Sequence, residues 1–247
     1  MACRWPRALL LTLALALASC GSGAQSEAPR ATAYSPESLA GPAAEASTRS
    51  PAAPEIPAGA PRVVFLGDSI AAGLHLEPAQ AFPAVVQRLL AAEGRPFELV
   101  NAGVSGDTSA GGLRRLDWLL NQAPDVLVLE LGGNDGLRGQ EVREIEARLR
   151  QIAQRAESAG VRVLLLGVRL PPSLGREYVA AFEALYPRLA EELELAFVPS
   201  FMQGVGGVTG MMLDDGLHPS RAGHARIAAH MAPVLAELLG ELAPATR

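Results

Sequence analysis

The sequence contains no lysine, and all 21 of its basic residues are arginine. A Walker-type phosphate loop, a Schiff-base mechanism and a serine-lysine dyad each require the lysine amine, so these chemistries are excluded. The arginines form no basic cluster and the formal net charge is -5. Nucleic acid is therefore not an expected partner, because phosphate neutralisation needs concentrated positive charge. Histidine is also scarce. His75, His218, His224 and His230 are scattered with no pair at metal-ligand spacing, so a zinc centre is not expected. The esterase elbow G-x-S-x-G is missing: Ser69 is followed by Ile70 and Ala71, and Ser105 has Asp107 two residues on. What remains is a chain of 247 residues, 49% hydrophobic and 19% charged, enough to bury a sizeable core in one main domain.

The sequence begins MACRWPRALLLTLALALASCGSG. Arg4 and Arg7 precede an apolar run from Ala8 to Ala18 that is too short to span a bilayer and has the pattern of a secretory signal. Leu17-Ala18-Ser19-Cys20 resembles the bacterial lipobox, which implies lipidation at Cys20 after removal of residues 1-19. With Cys3 lost, Cys20 is the only thiol, so no intramolecular disulfide can form. Several acyl chains on Cys20 would hold the protein at a membrane, since one chain binds only marginally. The expected location is the bacterial cell envelope, facing the periplasm. Residues 20-61 read as an Ala/Pro/Ser-rich tether, 62-241 as the folded domain and 242-247 as a tail.

From Arg62 onward, apolar runs (RVVFLG, FELVN, DVLVLEL, VRVLLLGV, LAFVPS) alternate with amphipathic segments. The helices expected are Gln80 to Glu93, Leu113 to Gln122, Glu141 to Ser158, Glu177 to Glu194, and a last one from Pro219 to about Leu239 with proline in its first turn. Near-continuous Val/Leu strands suit a sheet covered on both faces, so the fold class is a parallel, doubly wound α/β/α sandwich. In that fold, functional residues lie on loops at the carboxyl ends of strands.

Those loops carry GDS (Gly67, Asp68, Ser69), NAGVSGDTS (Asn101 to Ser109) and GGND (Gly132 to Asp135), with DDGLHPS (Asp214 to Ser220) before the last helix. A serine hydroxyl becomes a useful nucleophile only when a base takes its proton, and the base imidazole needs its other nitrogen held by an acceptor. Asp215 and His218, three residues apart on a turn, can meet that need; Asp214 competes for the acid role. A serine in this position can also simply cap a helix, and D-x-x-H can simply start one. A developing oxyanion needs fixed donors, for which Asn134 offers a neutral amide and Gly106 an unencumbered backbone. Asp68 and Asp135 read as structural, His224 and His230 as surface or packing residues, and His75 as a possible rim of the pocket.

Together these stretches resemble the four signature blocks of the SGNH (GDSL) hydrolase superfamily over most of Arg62 to Gly240. NAGVSGDTSAGGLRRL, LVLELGGNDGLRG and RLPPSLGREY are most similar to its bacterial thioesterase I / lysophospholipase / arylesterase branch. The resemblance implies a nucleophile at Ser69, a base at His218 oriented by Asp215, and oxyanion donors from the Ser69 and Gly106 backbones and the Asn134 side chain. It implies a flavodoxin-like five-stranded sheet of order 2-1-3-4-5 and no metal or cofactor. The expected substrates are aryl esters, short to medium acyl esters or thioesters, and lysophospholipids, chosen by the loops GNDGLRGQ, RLPPSLGREY and PSFMQGVGGVTGMMLD with Met202, Met211 and Met212. A carbohydrate O-acetyl esterase is the nearer alternative, disfavoured by an aromatic content of 4%. A non-catalytic tethered binding lipoprotein is the more distant one. Oligomeric state is not legible.

Overall fold

A computed structural model describes residues 53-242. The signal segment, Cys20, most of the tether and residues 243-247 of the tail lie outside the described residues. Residues 53-61, assigned to the tether from composition, are irregular chain before the first strand, and 57-61 of them run beside Arg95 and Gly240.

Five parallel strands form one sheet in the order β2-β1-β3-β4-β5. They are β1 (Arg62–Gly67), β2 (Glu98–Gly103), β3 (Val126–Glu130), β4 (Arg162–Leu166) and β5 (Ala196–Val198). The in-register neighbours of Gly67 are Gly103 on β2 and Glu130 on β3, so these strands end side by side. Central strands are buried on both faces: Val63 to Leu66, Val126 to Leu129 and Leu164 to Leu166 are wholly inaccessible. This burial explains their unbroken Val/Leu composition. The edge strand β2 is half-buried, and its sequence is correspondingly mixed.

Helices α1 (Ser69–Ala72), α2 (Phe82–Ala92), α3 (Ser109–Leu120), α4 (Gly133–Leu137), α5 (Val142–Ser158), α6 (Arg176–Glu192) and α7 (Arg221–Gly240) complete a doubly wound α/β fold. α2 packs on α7, and α5 packs between α3 and α6, so the helices cover the two faces of the sheet. Three helix starts differ from the sequence expectation. α2 begins at Phe82, because Pro78–Gln80 forms a separate 3-10 turn. α3 begins four residues before Leu113, at Ser109, because Thr108 caps it by accepting a hydrogen bond from the Gly111 amide. Pro219 is not in the first turn of α7: Ser220 is the cap, accepting from Gly223, and Pro219 precedes it in a bridge to Met212. α7 buries Ile227, Met231, Leu235 and Leu238 along one face, with Val234 half-buried beside them.

Candidate active site

The turn after β1 is held from three sides. Asp68, not Ser69, caps α1, its Oδ1 accepting from the Ile70 amide at 2.9 Å. Ser69 is thus the first helical residue, free of the capping duty that would otherwise account for it. Below the turn lies Glu130, the last residue of β3 and 1% exposed, whose Oε2 accepts from the Asp68 amide at 3.1 Å and whose carboxylate also takes the Ala71 amide. A Cβ on Gly67 would come within 2.4 Å of Oε2, so glycine is required there for the carboxylate to fit. Arg115 on α3 clamps the strand ends, donating to the Gly67 and Ala102 carbonyls at 3.0 and 2.5 Å and to Asp107 at 2.8 Å.

Burial governs the charge of this turn. It pushes the Asp68 carboxyl up to about 6, against the Ile70 amide, the charge of His218 and the Asn134 amide, which all pull it down. Burial, aided by the neighbouring Asp68 charge, also raises Glu130 well above the carboxylate range.

Across the site, the loop before α7 carries the second half. Asp215 Oδ1 accepts from the amides of Leu217 and His218 at 2.8 and 2.9 Å, folding DDGLH into a tight turn. Oδ2 is 2.6 Å from His218 Nδ1. The hydrogen bonds from the His218 amide and ring, with that from Leu217, hold the Asp215 carboxyl well below the usual carboxylate range. It is therefore an anion that keeps the ring proton on Nδ1. The lone pair of Nε2 then faces Ser69 Oγ at 3.0 Å. Asp214 is exposed and makes no hydrogen bond to His218 among the described residues.

Ser69, His218, Asp68, Asn134, Glu130 and Met212 share the lining of a cleft of about 830 Å³. The expected substrate loops supply other parts of its wall, including Leu137, Arg169, Pro171 and Met202. Met211 packs against the core instead. Asn134 donates one Nδ2 hydrogen to Asp68 Oδ2 at 2.9 Å, leaving its second for a ligand. Gly106 stands apart from the cleft lining on an exposed turn, with its carbonyl accepting from Arg138 at 3.2 Å. A left-handed φ of 77° calls for glycine there.

Asp135 joins α4 to α3 by accepting from both the amide and hydroxyl of buried Ser109, at 2.8 and 2.6 Å. His224 is buried in α7 and serves α2, its Nδ1 accepting from the Phe82 amide at 3.0 Å. Burial, and secondarily the charge of His218, lower its pKa to about 4. His230 is half-buried in the same helix. His75 is exposed outside the cleft lining, with its ring edge-on to that of His218 at 6.0 Å. Sequence reasoning missed Glu130 and Arg115. The visible signal for the former was a lone acid ending the apolar run VLVLEL.

Residues 65–226 match the model of the GDSL-like lipase/acylhydrolase family. The chain belongs to that family. Membership makes it a carboxylic ester hydrolase, and the relatives agree. Esterase TesA of Pseudomonas aeruginosa is 46% identical over 183 residues, 74% of this chain and 91% of that protein. A thioesterase 1/protease 1/lysophospholipase L1 of Escherichia coli is 42% identical, over 74% of this chain and 86% of its own length. A crystal structure of TesA superposes with a TM-score of 0.70 at 46% identity, covering 72% of this chain and 99% of that one. The sheet order and helix layers of this GDSL-like domain are those of its solved relative.

Proposed function

We propose that the protein hydrolyses aryl esters and short to medium acyl esters and thioesters through an acyl-enzyme on Ser69, with His218 as base and Asp215 as its orienting acid. The observation that carries this reading is the unbroken relay from Asp215 through Nδ1 and Nε2 of His218 to Ser69 Oγ, with links of 2.6 and 3.0 Å. As Oγ attacks the carbonyl carbon, its proton passes to Nε2, and the anionic Asp215 stabilises the imidazolium. The same proton then goes to the departing alcohol or thiol. A water repeats the sequence to release the acid and restore Ser69.

The charge that develops on the carbonyl oxygen falls to the Ser69 amide and the second Nδ2 hydrogen of Asn134, while the Gly106 amide, on a turn outside the described cleft lining, would have to swing in to serve as a third donor. Among the described residues, neither amide donates elsewhere. Asp68 acts behind them, orienting Asn134 and capping the helix that presents Ser69.

Apolar acyl chains suit the cleft better than sugars. Its described lining includes Leu137, Met202 and Met212 but no Phe, Tyr or Trp, and Trp118 stands 65% exposed on α3. The names of the relatives, an esterase and a thioesterase/lysophospholipase, support the same class of substrate. In this reading Cys20 and the tether hold the domain at a membrane surface, where lysophospholipids would be accessible.

A fluorescent phosphonate should label the native protein and leave Ser69→Ala unlabelled. A folded, unlabelled native protein would favour a binding role. A panel of aryl, acyl-thioester and acetyl-xylan substrates should show turnover of the first two, and turnover of only the last would reverse the substrate assignment.

A further inference from the structure

The histidines that looked scattered in the sequence are not all scattered in space. His75 and His218 lie far apart along the chain, yet one ligand-type atom from each of His75, His218 and Asp215 falls within 4.8 Å of the other two. The position of His75 is built in. Its φ is 69°, a left-handed conformation uncommon outside glycine, and the turn is fixed on both sides by Leu74 N–H to Ser69 O at 3.0 Å and Leu76 N–H to Gly73 O at 2.9 Å. His75 has no role in the relay, no place in the cleft lining, and an exposed side chain free to turn.

We infer that His75, His218 and Asp215 form an inhibitory site for a divalent transition-metal ion of the zinc class. Two imidazoles and one carboxylate are the mixed nitrogen and oxygen set such ions take, with a fourth position left to water, whereas calcium and magnesium prefer all-oxygen shells. Metal-ligand bonds of about 2.0–2.2 Å need the three atoms to come within about 3.5 Å of one another. His75, exposed and outside the relay, would turn its ring to close that gap, while Asp215 stays on its turn.

Asp215 lies on the Nδ1 side of the His218 ring, so an ion shared by all three residues takes Nδ1. There it displaces the ring proton, which moves to Nε2 and leaves no acceptor facing Ser69. The imidazole remains neutral with one proton, and no oxidation or reduction occurs. Binding at the site is independent of the reaction proposed for Ser69, while the inhibition rests on it.

The test uses the full chain, its His75→Ala variant and His75→Asn, in which asparagine retains the tolerance for a left-handed φ. Co²⁺ binding is followed by its visible d–d absorption, and aryl ester hydrolysis is followed at buffered free Zn²⁺. The native protein should bind Co²⁺ and be inhibited by Zn²⁺, reversibly on chelation and not by Mg²⁺. Both variants should keep metal-free hydrolysis while losing metal affinity by at least about tenfold, the loss that even an outer partner of a ligand can bring. Equal Co²⁺ binding and equal Zn²⁺ response in native and variant proteins would overturn the site. If the native protein binds Co²⁺ through His75 yet hydrolyses no ester, the metal site stands and the Ser69 reading fails.

Discussion

The two halves of the site are built in opposite ways. The Ser69 turn sits on the central strands β1 and β3, over a fully buried carboxylate, and is fixed by a hydrogen bond that Glu130 accepts and one that Arg115 donates, both residues remote in sequence. The His218 turn is an exposed loop that folds largely on itself, through Asp215 and the amides of Leu217 and His218. Loss of a contact in the first half should therefore be felt by the whole domain. Loss in the second should be felt by the rate and little by stability, since exposed groups contribute little to folding.

His218→Ala tests this contrast most severely. It should reduce kcat on the order of 10⁶-fold, as in comparable triads, with an unchanged thermal transition. A rate within about tenfold of native would break the relay. Asp215→Asn should cost less, about 10⁴-fold in kcat, because the ring loses its enforced tautomer but keeps its place. Single-turnover kinetics beside a melting curve would show the rate falling alone; a large fall in Tm would contradict the picture of a self-contained His218 turn.

Glu130→Ala probes the other half. It strands the buried Asp68 and Ala71 amides at roughly 1–3 kcal/mol each, a loss of about 4–24 °C in Tm for a domain of this size. Glu130→Gln keeps an acceptor and should recover most of that loss. Equal melting of the three proteins would remove the buried carboxylate from the stability of the turn.

The smallest effect is in the pH dependence of stability. The Asp68 pKa is raised from 3.8 to about 6, so between those values the native state binds more protons than the unfolded chain and stability falls as pH rises. The His224 pKa is lowered from 6.5 to about 4, so the native state binds fewer protons and stability rises over nearly the same window. The two oppose each other, but buried Glu130, whose carboxyl is also raised, acts with Asp68, so native stability should fall as pH rises through this window. Asp68→Asn should tilt stability upward from pH 4 to 6, and His224→Gln should tilt it downward, as read from denaturant midpoints. Identical slopes in both variants would dissociate these residues from the balance.

Much of the design was legible from local pattern. Val/Leu runs alternating with amphipathic segments specify a covered parallel sheet, because buried strands need apolar residues on both faces. GDS, GGND and DDGLHPS lie where such a sheet presents its loops, and Asp215 and His218 could be paired because their contact spans only three residues. Helix starts were less legible, since Thr108 and Ser220 compete as caps with nearby glycine and proline signals that carry similar local weight.

Position along the chain could not reveal contacts made only when the strands converge. Glu130 looked like a stray acid until register set it against Gly67 and beneath Asp68. His224 looked like a packing residue of α7 until α2 brought the Phe82 amide to its ring. His75 became the neighbour of His218 only through a left-handed turn after α1. Sequence by itself determined the layered α/β architecture and the kinds of side chain at its loops, because periodicity and short-range pairing are local properties. Tertiary structure alone decided which buried groups carry charge and which histidines meet, because desolvation and proximity depend on surfaces that form only when distant segments pack together.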